Sequence, residues 1–477
     1  MKRRRLKGGR RPPGAVWPRP PGKRARSKVA FHLNPTAWFR VVLPRIKVRR
    51  LLYTALVVLA SLGLRAADAA GAARSPNILF IVADNMGRES VGYYGGRDGR
   101  TPQLDRLAAA GVVFDHCLIA APLCAPARCG WNTGRHPYRV GINDRQPSPG
   151  NPDSGLSEKE ITIAQLLKAA GYDTALVGKW NLGYAPRFNP RHFGFDRFYG
   201  SLAGHADYYT HVYNSDMKVH FYRDQSPVND RGYFDELFTD EALRYLRERK
   251  DNPRPFYLNL CFYAPHGPYQ APPGYYHSDD PAKNYQHMIE YLDTCVGRVL
   301  AEVDRLGLAD NTLIVFLSDQ GGSYANGYGR TLREPSLKVI CNAAWPGVIP
   351  AGLRVSTPWM HIDLFAVFAG VAHAKPPRDR VIDAQDVWPL FQGHAVPGER
   401  TFHWTFHQED AIRAGDWKLH ATAGRVDGLF DLKADPDEKN DLSSQHPDRV
   451  EELRRRHAQW KAECAAQQTS KSGSAKD

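Results

Sequence analysis

Short apolar runs rich in β-branched residues alternate with segments of helical periodicity, and this alternation constrains the fold more than any other feature of the sequence. Four runs have the length and composition of strands buried on both faces: 76–83, 174–177, 256–262 and 312–317. Strands of this kind that are separated by helices form parallel sheets covered on both sides. The chain is therefore predicted to be an α/β protein with a large, mostly parallel mixed sheet sandwiched by helices.

Helix signals stand between these runs. Ser157 and Glu160 have the spacing of a capping box, which predicts a helix that begins near residue 161 and ends at Gly171. Apolar residues at helical spacing over 289–303 predict a long amphipathic helix between the last two strands. The connections are therefore long enough for helices to cross over the sheet.

After residue 397 the pattern changes to short segments with turn-rich spacing, at 402–406, 411–419 and 428–432. They predict a small antiparallel sheet, and a charged amphipathic helix is predicted over 448–464. We therefore expect a main domain over 73–396, a C-terminal antiparallel-sheet subdomain over 397–464 and a flexible tail over 465–477.

The positive charge of the chain is concentrated at its N-terminus. The formal net charge is +14, but residues 1–50 contain 17 of the 64 Lys and Arg residues and none of the 50 Asp and Glu residues. One residue of each sign lies in 51–70, so residues 71–477 carry a net charge of −3. A nucleic-acid partner, which the overall charge would favour, is therefore not expected.

The N-terminal segment has the order of an export signal. An apolar run over 51–64 follows basic residues, is short for a membrane span, and precedes small residues with an Ala-x-Ala cleavage pattern near Ala69. We predict a signal peptide over 46–72 behind a disordered basic extension over 1–45. The mature protein would then be exported, to a periplasm or the cell exterior, with no stable membrane partner; an uncleaved N-terminal membrane anchor is the alternative.

Polar side chains follow the four predicted strands at the points where the strands end. In chain order these are Asp84 with Asn85, Lys179, His266, and Asp319 with Gln320. Because the carboxyl ends of parallel strands meet at one edge of a sheet, these groups are expected to converge on one crevice. The four that carry carboxylate or amide oxygens suit a hard cation, Ca²⁺ or Mg²⁺, rather than zinc or copper.

Arg128, Lys179 and His266 add positive charge and proton donors to the same edge. A divalent cation together with such groups describes a site for an oxyanion ester, because charge develops on the ester oxygens in the transition state. Phosphate and sulfate esters both qualify, and only the nucleophile can separate them.

The candidate nucleophile is Cys124. Pro126 marks the first turn of a helix and so places Cys124 at the helix N-terminus, where backbone N–H groups favour anions. Taken alone, a buried cysteine is more commonly an inert thiol. The seven cysteines of the chain are an odd number without a CxxC pair, so no disulfide framework is predicted.

Residues 123–135, LCAPARCGWNTGR, resemble the Cys-x-Pro-x-Arg signature of the formylglycine-dependent (type I) sulfatases, which belong to the alkaline phosphatase superfamily. Further segments resemble the family in the same order along the chain: 76–84, 101–105, 178–180, 193–200, 265–268, 318–319, 361–364, 416–419 and 430–436. The resemblance implies the alkaline phosphatase-like sulfatase fold, with the catalytic domain over 73–396.

The resemblance also implies roles for single residues. A formylglycine-generating or radical maturation enzyme would oxidise Cys124 to formylglycine, whose hydrated aldehyde attacks the sulfur before elimination regenerates the aldehyde. Arg128 would stabilise the hydrated aldehyde, Lys179 would hold the sulfate, and His266 would contact the sulfate or the leaving oxygen. The family binds Ca²⁺ at the positions that are here Asp84, Asn85, Asp319 and Gln320, with the modified Cys124 facing the metal.

Several positions depart from the family pattern. The family usually has a second Asp in place of Asn85, Asn or His in place of Gln320, and His in place of Asn181. Lower ligand charge weakens a Ca²⁺ site, and the loss of a proton-transfer group at Asn181 can cost about 10²- to 10⁴-fold in rate. The later active-site lysine of the family maps near Arg330, which keeps the charge with a different geometry.

The resemblance implies an exported sulfuric ester hydrolase of the arylsulfatase-like class that acts on a sulfated carbohydrate or an aryl sulfate. Asn85 and Asn181 motivate an alternative, a catalytically impaired sulfatase-like protein that binds sulfated glycan, although the complete signature around Cys124 speaks against it. A phosphoesterase that uses the unmodified thiol is a third hypothesis. Substrate contacts are expected from Tyr209 and His211 in the aromatic segment 204–211; a surface loop with packed tyrosines is the alternative.

Overall fold

The computed structural model of the protein describes residues 75–321 and 330–472. The predicted basic extension, the signal peptide with its cleavage point near Ala69, and residues 473–477 of the predicted tail lie outside the described residues.

The described residues contain nineteen strands. In chain order they are β1 (Asn77–Ala83), β2 (Val112–Phe114), β3 (Cys117–Leu118), β4 (Asp173–Lys179), β5 (Arg197–Ser201), β6 (Val212–Tyr213), β7 (Lys218–Val219), β8 (Phe221–Arg223), β9 (Ser226–Pro227), β10 (Phe256–Cys261), β11 (Thr312–Ser318), β12 (Lys338–Val339), β13 (Cys341–Ala344), β14 (Leu353–Val355), β15 (Trp359–Met360), β16 (Thr401–Phe406), β17 (Glu409–Ala414), β18 (Trp417–Thr422) and β19 (Arg425–Asp431).

Ten α-helices lie between and after the strands of the described chain: α1 (Pro102–Ala109), α2 (Cys124–Thr133), α3 (Pro137–Val140), α4 (Ile163–Ala169), α5 (Phe234–Arg249), α6 (Pro281–Arg305), α7 (Glu334–Leu337), α8 (Leu364–Val371), α9 (Trp388–Phe391) and α10 (Pro447–Ser472). Short 3₁₀ turns add Arg88–Ser90, Gly92–Tyr94, Pro186–Phe188, Pro190–Phe193, Ala309–Asn311 and His361–Asp363.

A ten-stranded mixed sheet forms the centre of the fold, in the order β14-β2-β13-β11-β1-β10-β4-β5-β8-β9. Its five middle strands, from β11 to β5, are all parallel, and antiparallel partners join on both sides through β13 and β8. The register places Ile81 of β1 between Leu260 of β10 and Phe316 of β11. The predicted large, mostly parallel mixed sheet is confirmed.

Helices cover both faces of this sheet because its middle strands are apolar on both sides. Ile78, Phe80 and Val82 of β1 pack into one core with side chains of α2, α4 and α8. The intervening Leu79 and Ile81 pack into a second core with α1, α5 and α6. Every residue of β1 is buried, so the run of apolar residues reflects burial on two faces rather than one.

The predicted helix after Glu160 exists, but its cap was assigned to the wrong residues. The cap of α4 is Thr162, whose hydroxyl accepts the N–H of Gln165 at 3.2 Å while the Gln165 side chain accepts the N–H of Thr162 at 2.8 Å. The Glu160 carboxylate instead forms a buried ion pair with Arg135 at 2.6 Å. This partner is distant in sequence, so the local spacing of Ser157 and Glu160 could not reveal it.

A separate four-stranded antiparallel sheet, β16-β17-β18-β19, follows the main sheet as predicted. The segment 411–419, which the sequence favoured as one element, is two strands that reverse at Gly415, where φ is +60°. The terminal helix α10 packs Leu453 against Ile412 of this sheet and continues to Ser472, beyond the predicted end at residue 464. The domain boundaries themselves stay predictions.

Two further observations concern the whole described chain. None of the seven cysteines, all of which lie in described segments, forms a disulfide, as expected. Within residues 75–321 and 330–472, no helix combines the length and the apolar character that crossing a membrane requires.

The packing of the middle strands generates a stability prediction. Gly178 of β4 has φ +109°, and a Cβ there would lie 1.8 Å from the carbonyl oxygen of Cys261 in β10. Gly171 has a similar φ of +91° but nothing within 4 Å. We expect Gly178→Ala to lower the free energy of unfolding by more than about 4 kcal/mol, and Gly171→Ala to lower it by about 1–3 kcal/mol from backbone strain alone. Guanidinium unfolding measures both, and equal losses would contradict this packing.

Candidate functional site

The polar residues at the strand ends converge as the sequence predicted. Asp84 follows β1, Asp319 follows the neighbouring β11, and Lys179 is the last residue of β4. The Lys179 ammonium is paired with Asp84 Oδ2, and both side chains are fully buried. The carboxyl edge of the parallel strands therefore carries an ion pair sealed from water.

Helix α2 brings Cys124 to the same edge. Cys124 is the first residue of α2 and Pro126 lies in its first turn, as predicted. The thiol lies 3.5 Å from Asp84 Oδ1, to which it donates, and it accepts the side-chain N–H of Gln320 at 3.1 Å. The Gln320 amide also donates to Asn85 Oδ1, so residues that follow β1 and β11 meet the first residue of α2 at one sulfur.

Arg128, one turn further along α2, ties the same elements together. Its Nε and Nη2 donate to Asp319 Oδ2 at 3.2 and 2.9 Å, and its Nη1 donates to the backbone carbonyl of Lys179 at 2.9 Å. The guanidinium is almost completely buried. Asn85, whose φ of +64° is a left-handed conformation that Asn tolerates, donates its backbone N–H to the other Asp319 oxygen at 3.2 Å.

The two buried carboxylates have opposite pKa shifts. Burial would raise the pKa of Asp84, but the charges of Lys179, His266 and Arg128 lower it to about 2. Burial, followed by repulsion from Asp84, raises the pKa of Asp319 to about 6. The two carboxylates thus repel each other across a dry site.

Cys124 and His266 complete the cluster. Burial, followed by repulsion from Asp84, raises the pKa of the Cys124 thiol well above its usual range. Burial lowers the pKa of His266, and its Nδ1 faces the carbonyl of Gly267 at 2.6 Å, so Nδ1 is the donor nitrogen. Among the described residues, Asp84, Cys124 and His266 present ligand atoms within 4.8 Å of one another.

This arrangement fits a divalent cation. Asp84, Asn85, Asp319 and Gln320 carry carboxylate and amide oxygens, which are the hard donor types that Ca²⁺ and Mg²⁺ prefer. The repulsion between the two buried carboxylates is the electrostatic cost that a bound dication would relieve. Cys124 and His266 would then stand at the edge of the cation site.

A cavity of about 300 Å³ opens onto this cluster. From the predicted site residues it is lined by Asn85, Cys124, His266, Gln320 and Arg330. Arg330 is exposed, with φ +66°, at the wall of the cavity. Asp84, Arg128, Lys179 and Asp319 are not among the lining residues and lie behind them, fully buried. The predicted residues therefore form two layers, a cavity wall and a buried charged layer beneath it.

An aromatic wall of this cavity is formed by Tyr184, His205 and Tyr213, of which only His205 lies in the segment 204–211 that the sequence indicated. Tyr184 and Tyr213 stack with ring centroids 5.7 Å apart, and His205 contacts the Tyr213 ring edge-on at 5.0 Å. His205 also stacks on His266 at 5.7 Å. The density of tyrosines and histidines after Lys179 was the available signal, but it did not distinguish which of them face the cavity.

The predicted substrate contacts of Tyr209 and His211 are wrong. Tyr209 lies outside the cavity and donates its hydroxyl to the carbonyl of Ala271 at 2.6 Å. His211 is buried and stacks on Phe234 at 4.1 Å, with its Nε2 on the carbonyl of Gly232. Both residues pack against the fold, as the alternative interpretation of this segment held.

Asn181 lies in the cavity wall and is hydrogen-bonded to a second amide, Gln146; neither side chain is ionisable. Its Nδ2 donates to Gln146 Oε1 at 2.9 Å, and both residues line the cavity. Its φ of +57° again suits Asn. The site therefore has no titratable group at this position.

Comparison with known proteins places this site in context. Residues 76–374 match the family model Sulfatase. The chain is 33% identical to the N-acetylgalactosamine-6-sulfatase of Canis lupus familiaris over 399 residues, which cover 76% of this chain and 74% of that protein. It is 31% identical to the steryl-sulfatase of Rattus norvegicus over 470 residues, which cover 78% of this chain and 80% of that protein.

A solved structure is similar as well. The crystal structure of Ps i-CgsB in complex with k-i-k-neocarrahexaose superimposes with a TM-score of 0.74 at 28% sequence identity. The match covers 81% of this chain and 93% of that chain. The likeness thus extends over most of the chain.

The cation-binding interpretation generates a prediction. We expect Ca²⁺ at about 100 times its Kd to stabilise the protein by about 2.7 kcal/mol, seen as a rise in Tm, and Asp319→Asn to abolish that rise relative to its own metal-free Tm. Asp310→Asn, an exposed carboxylate before β11, is the control that should keep the full response. An equal Ca²⁺ response in all three proteins would place the cation elsewhere.

Proposed function

The chain belongs to the sulfatase family, and on that premise we propose that it hydrolyses the sulfate ester of a carbohydrate through a formylglycine formed from Cys124 beside a bound divalent cation. Sulfatases are sulfuric ester hydrolases, so the reaction class follows from the family. The observation that carries the proposal is the position of Cys124 at the start of α2, in contact with Asp84 and Gln320 on the wall of the cavity.

Asp84, Asn85, Asp319 and Gln320 are the proposed cation ligands, together with the modified residue 124; Ca²⁺ is the proposed ion and Mg²⁺ the alternative. The cation would supply positive charge for the oxyanion of the ester, and formylglycine would supply a hydroxyl nucleophile where the buried thiol stays neutral. The conversion requires a formylglycine-generating or radical maturation enzyme as a partner. Cys124 lies 3.5 Å from Asp84, which supports its place beside the ion.

The buried cations are proposed to act on the reacting groups from beneath. Arg128 holds Asp319 and the Lys179 backbone in place, and we assign it to stabilising the hydrated residue 124. Lys179, paired with Asp84, supplies positive charge for the sulfate. Both side chains are rigidly held, so their charge is preorganised and requires no rearrangement during the reaction.

His266 and Arg330 are proposed to act from the cavity wall. Because Nδ1 of His266 donates to the Gly267 carbonyl and burial lowers the pKa of the ring, its Nε2 is left with a lone pair that can accept a proton beside the sulfate or the leaving oxygen. Arg330 places a permanent positive charge beside the cavity, where it attracts an anionic ester. In this proposal His266 therefore takes part in proton transfer, and Arg330 provides positive charge.

A carbohydrate is the proposed substrate because the cavity combines aromatic rings with hydrogen-bonding groups. Tyr184 and Tyr213 offer flat apolar faces for the C–H groups of a sugar ring, and Asn181 offers an amide for its hydroxyl groups. Two relatives are consistent with this class: one is named for N-acetylgalactosamine 6-sulfate chemistry, and the other was solved with a neocarrahexaose.

A second candidate function rests on Asn181. An amide at this position cannot transfer protons near neutral pH, and its hydrogen bond to Gln146 fits a binding surface as well as a catalytic one. A sulfatase-like protein with impaired catalysis that binds sulfated glycan would show tight binding without turnover.

Export of the mature chain, to a periplasm or the cell exterior, is also part of the proposal. It is supported by the export-signal pattern over 46–72.

The state of residue 124 tests the proposed function. We expect the protein co-expressed with a maturation enzyme to carry an aldehyde at residue 124 by mass spectrometry and to hydrolyse 4-nitrophenyl sulfate, and Cys124→Ala to be inactive. Cys129→Ala, in the same helix, is the matched control that should retain turnover. Turnover of 4-nitrophenyl phosphate by the protein with an unmodified thiol would favour the phosphoesterase hypothesis. An aldehyde with tight glycan binding and no turnover would favour the binding protein.

The aromatic wall generates a separate prediction about specificity. We expect Tyr213→Ala to lower kcat/KM about tenfold for a sulfated monosaccharide, which corresponds to the loss of one aromatic contact of about 1.4 kcal/mol, while turnover of 4-nitrophenyl sulfate changes less. Tyr209→Ala, outside the cavity, should leave both values unchanged. Equal losses of kcat/KM on the two substrates would show that Tyr213 does not bind the sugar.

A further inference from the structure

A cluster of buried charges lies between the cavity and the small C-terminal sheet, and no step of the proposed reaction uses it. Glu334 of α7 is its centre: Oε1 lies 3.1 Å from Lys418 Nζ, and Oε2 lies 3.1 Å from Arg413 Nη1 and 3.3 Å from Lys338 Nζ. Lys418 is on β18 and Arg413 on β17, and both are buried with Glu334. Three cations from two parts of the fold thus surround one carboxylate.

A second carboxylate, Glu438, completes the cluster from the turn after β19. Its Oε2 accepts the backbone N–H of Glu334 at 2.7 Å, and its Oε1 lies 3.1 Å from Lys418 Nζ and 2.7 Å from His420 Nε2. Lys418 therefore bridges the two carboxylates. Glu438 therefore contacts both the backbone of Glu334 and the side chain of Arg333.

Arg333 adds a third connection between the same two parts. Its Nη1 donates to the backbone carbonyl of Glu438 at 2.9 Å, and its guanidinium lies over the Phe430 ring of β19 at 5.0 Å. Unlike the buried cluster, Arg333 is only half-buried. Residues 333 and 334 are thus held by side chains and backbone of the small sheet and its following turn.

The segment held in this way leads directly to the cavity. Arg330 lines the cavity three residues before Arg333, a distance that the chain can span by no more than about 11 Å. Leu332 between them is buried, and the Thr331 and Ser336 hydroxyls lie 2.9 Å apart, which closes the segment on itself. A connection this short limits how far residue 333 can be displaced before residue 330 moves with it.

Stability alone does not account for such a cluster. Buried ion pairs lose their hydration on folding, and well-packed apolar side chains of similar volume are commonly as stable. Charged groups with several hydrogen bonds do, however, fix direction and register in a way that apolar contacts do not. The observation to explain is therefore the fixed placement of the segment beside the cavity.

We propose that Arg333, Glu334, Lys418 and Glu438 are positioning residues through which the small C-terminal sheet holds Arg330 at the cavity. The C-terminal sheet then contributes to the substrate site by holding Arg330 in place, although none of the residues of this sheet lines the cavity in the described chain. This inference rests on the proposed function for the role of Arg330 toward an anionic ester.

A double-mutant cycle tests the proposal. We expect Arg333→Ala to lower kcat/KM for the sulfate ester about tenfold through misplacement of Arg330, and Arg333→Lys to recover part of the loss. In an Arg330→Ala background, Arg333→Ala should cause no further loss. Arg449→Ala is the matched control, because Arg449 joins α10 to the Ala414 carbonyl of the same sheet without touching residues 330–338. Independent, multiplicative losses from Arg330→Ala and Arg333→Ala would overturn the proposal.

Hydrogen exchange gives a readout that does not depend on turnover. We expect faster exchange over residues 330–338 in Arg333→Ala and in Lys418→Met, and unchanged exchange there in Arg449→Ala. If Lys418→Met does not fold, Arg333→Ala, which is only half-buried, decides the outcome. Faster exchange with unchanged kcat/KM overturns the inference and leaves the proposed function standing. A wild-type protein that carries the aldehyde but turns over no sulfate ester contradicts the proposed function. In that case hydrogen exchange still tests whether the C-terminal sheet holds residues 330–338 in place, and unchanged exchange in Arg333→Ala would overturn the inference.

Discussion

Two crossed ion pairs, Asp84 with Lys179 and Asp319 with Arg128, are the interaction on which the site depends. They join the ends of β1, β4 and β11 to α2 through Arg128, one turn after Cys124, so the strand order of the sheet and the placement of Cys124 are coupled. Two carboxylates and two cations make this buried layer neutral in sum, which is what a dry interior tolerates. A bound dication would add two positive charges beside this layer, and the single negative charge of a sulfate monoester would offset one of them.

The amide side chains of the site also keep the number of buried charges low. Gln320 contacts both Asn85 and Cys124, and Asn181 contacts Gln146, so these amides provide oxygen or N–H groups without adding a buried charge. Amides weaken electrostatic attraction for a cation relative to carboxylates. These amides add no titratable group to the cavity wall, where His205 and His266 carry imidazole rings.

Much of the fold could be predicted because it follows from local patterns. The apolar runs predicted the middle strands, since a strand buried on both faces must be apolar throughout. The errors arose where a long-range partner decided the outcome. Glu160 has the spacing of a cap but is taken by Arg135, and His211 looks like a substrate contact but packs on Phe234. Neither partner is visible within the few residues that a pattern compares.

The candidate site divides in the same way. By itself, the sequence determined which chemical groups the protein carries: oxygen donors and cations after parallel strands, and a cysteine before a helix-initiating proline. Only the tertiary structure decided which of these groups form the cavity wall and which lie behind it, and only it revealed Tyr213 and the cluster that joins Glu334 to Lys418. The physical reason is that residue type and local spacing set the strand and its chemistry, whereas the direction of a loop side chain and the partner of a buried charge depend on residues far away in the chain.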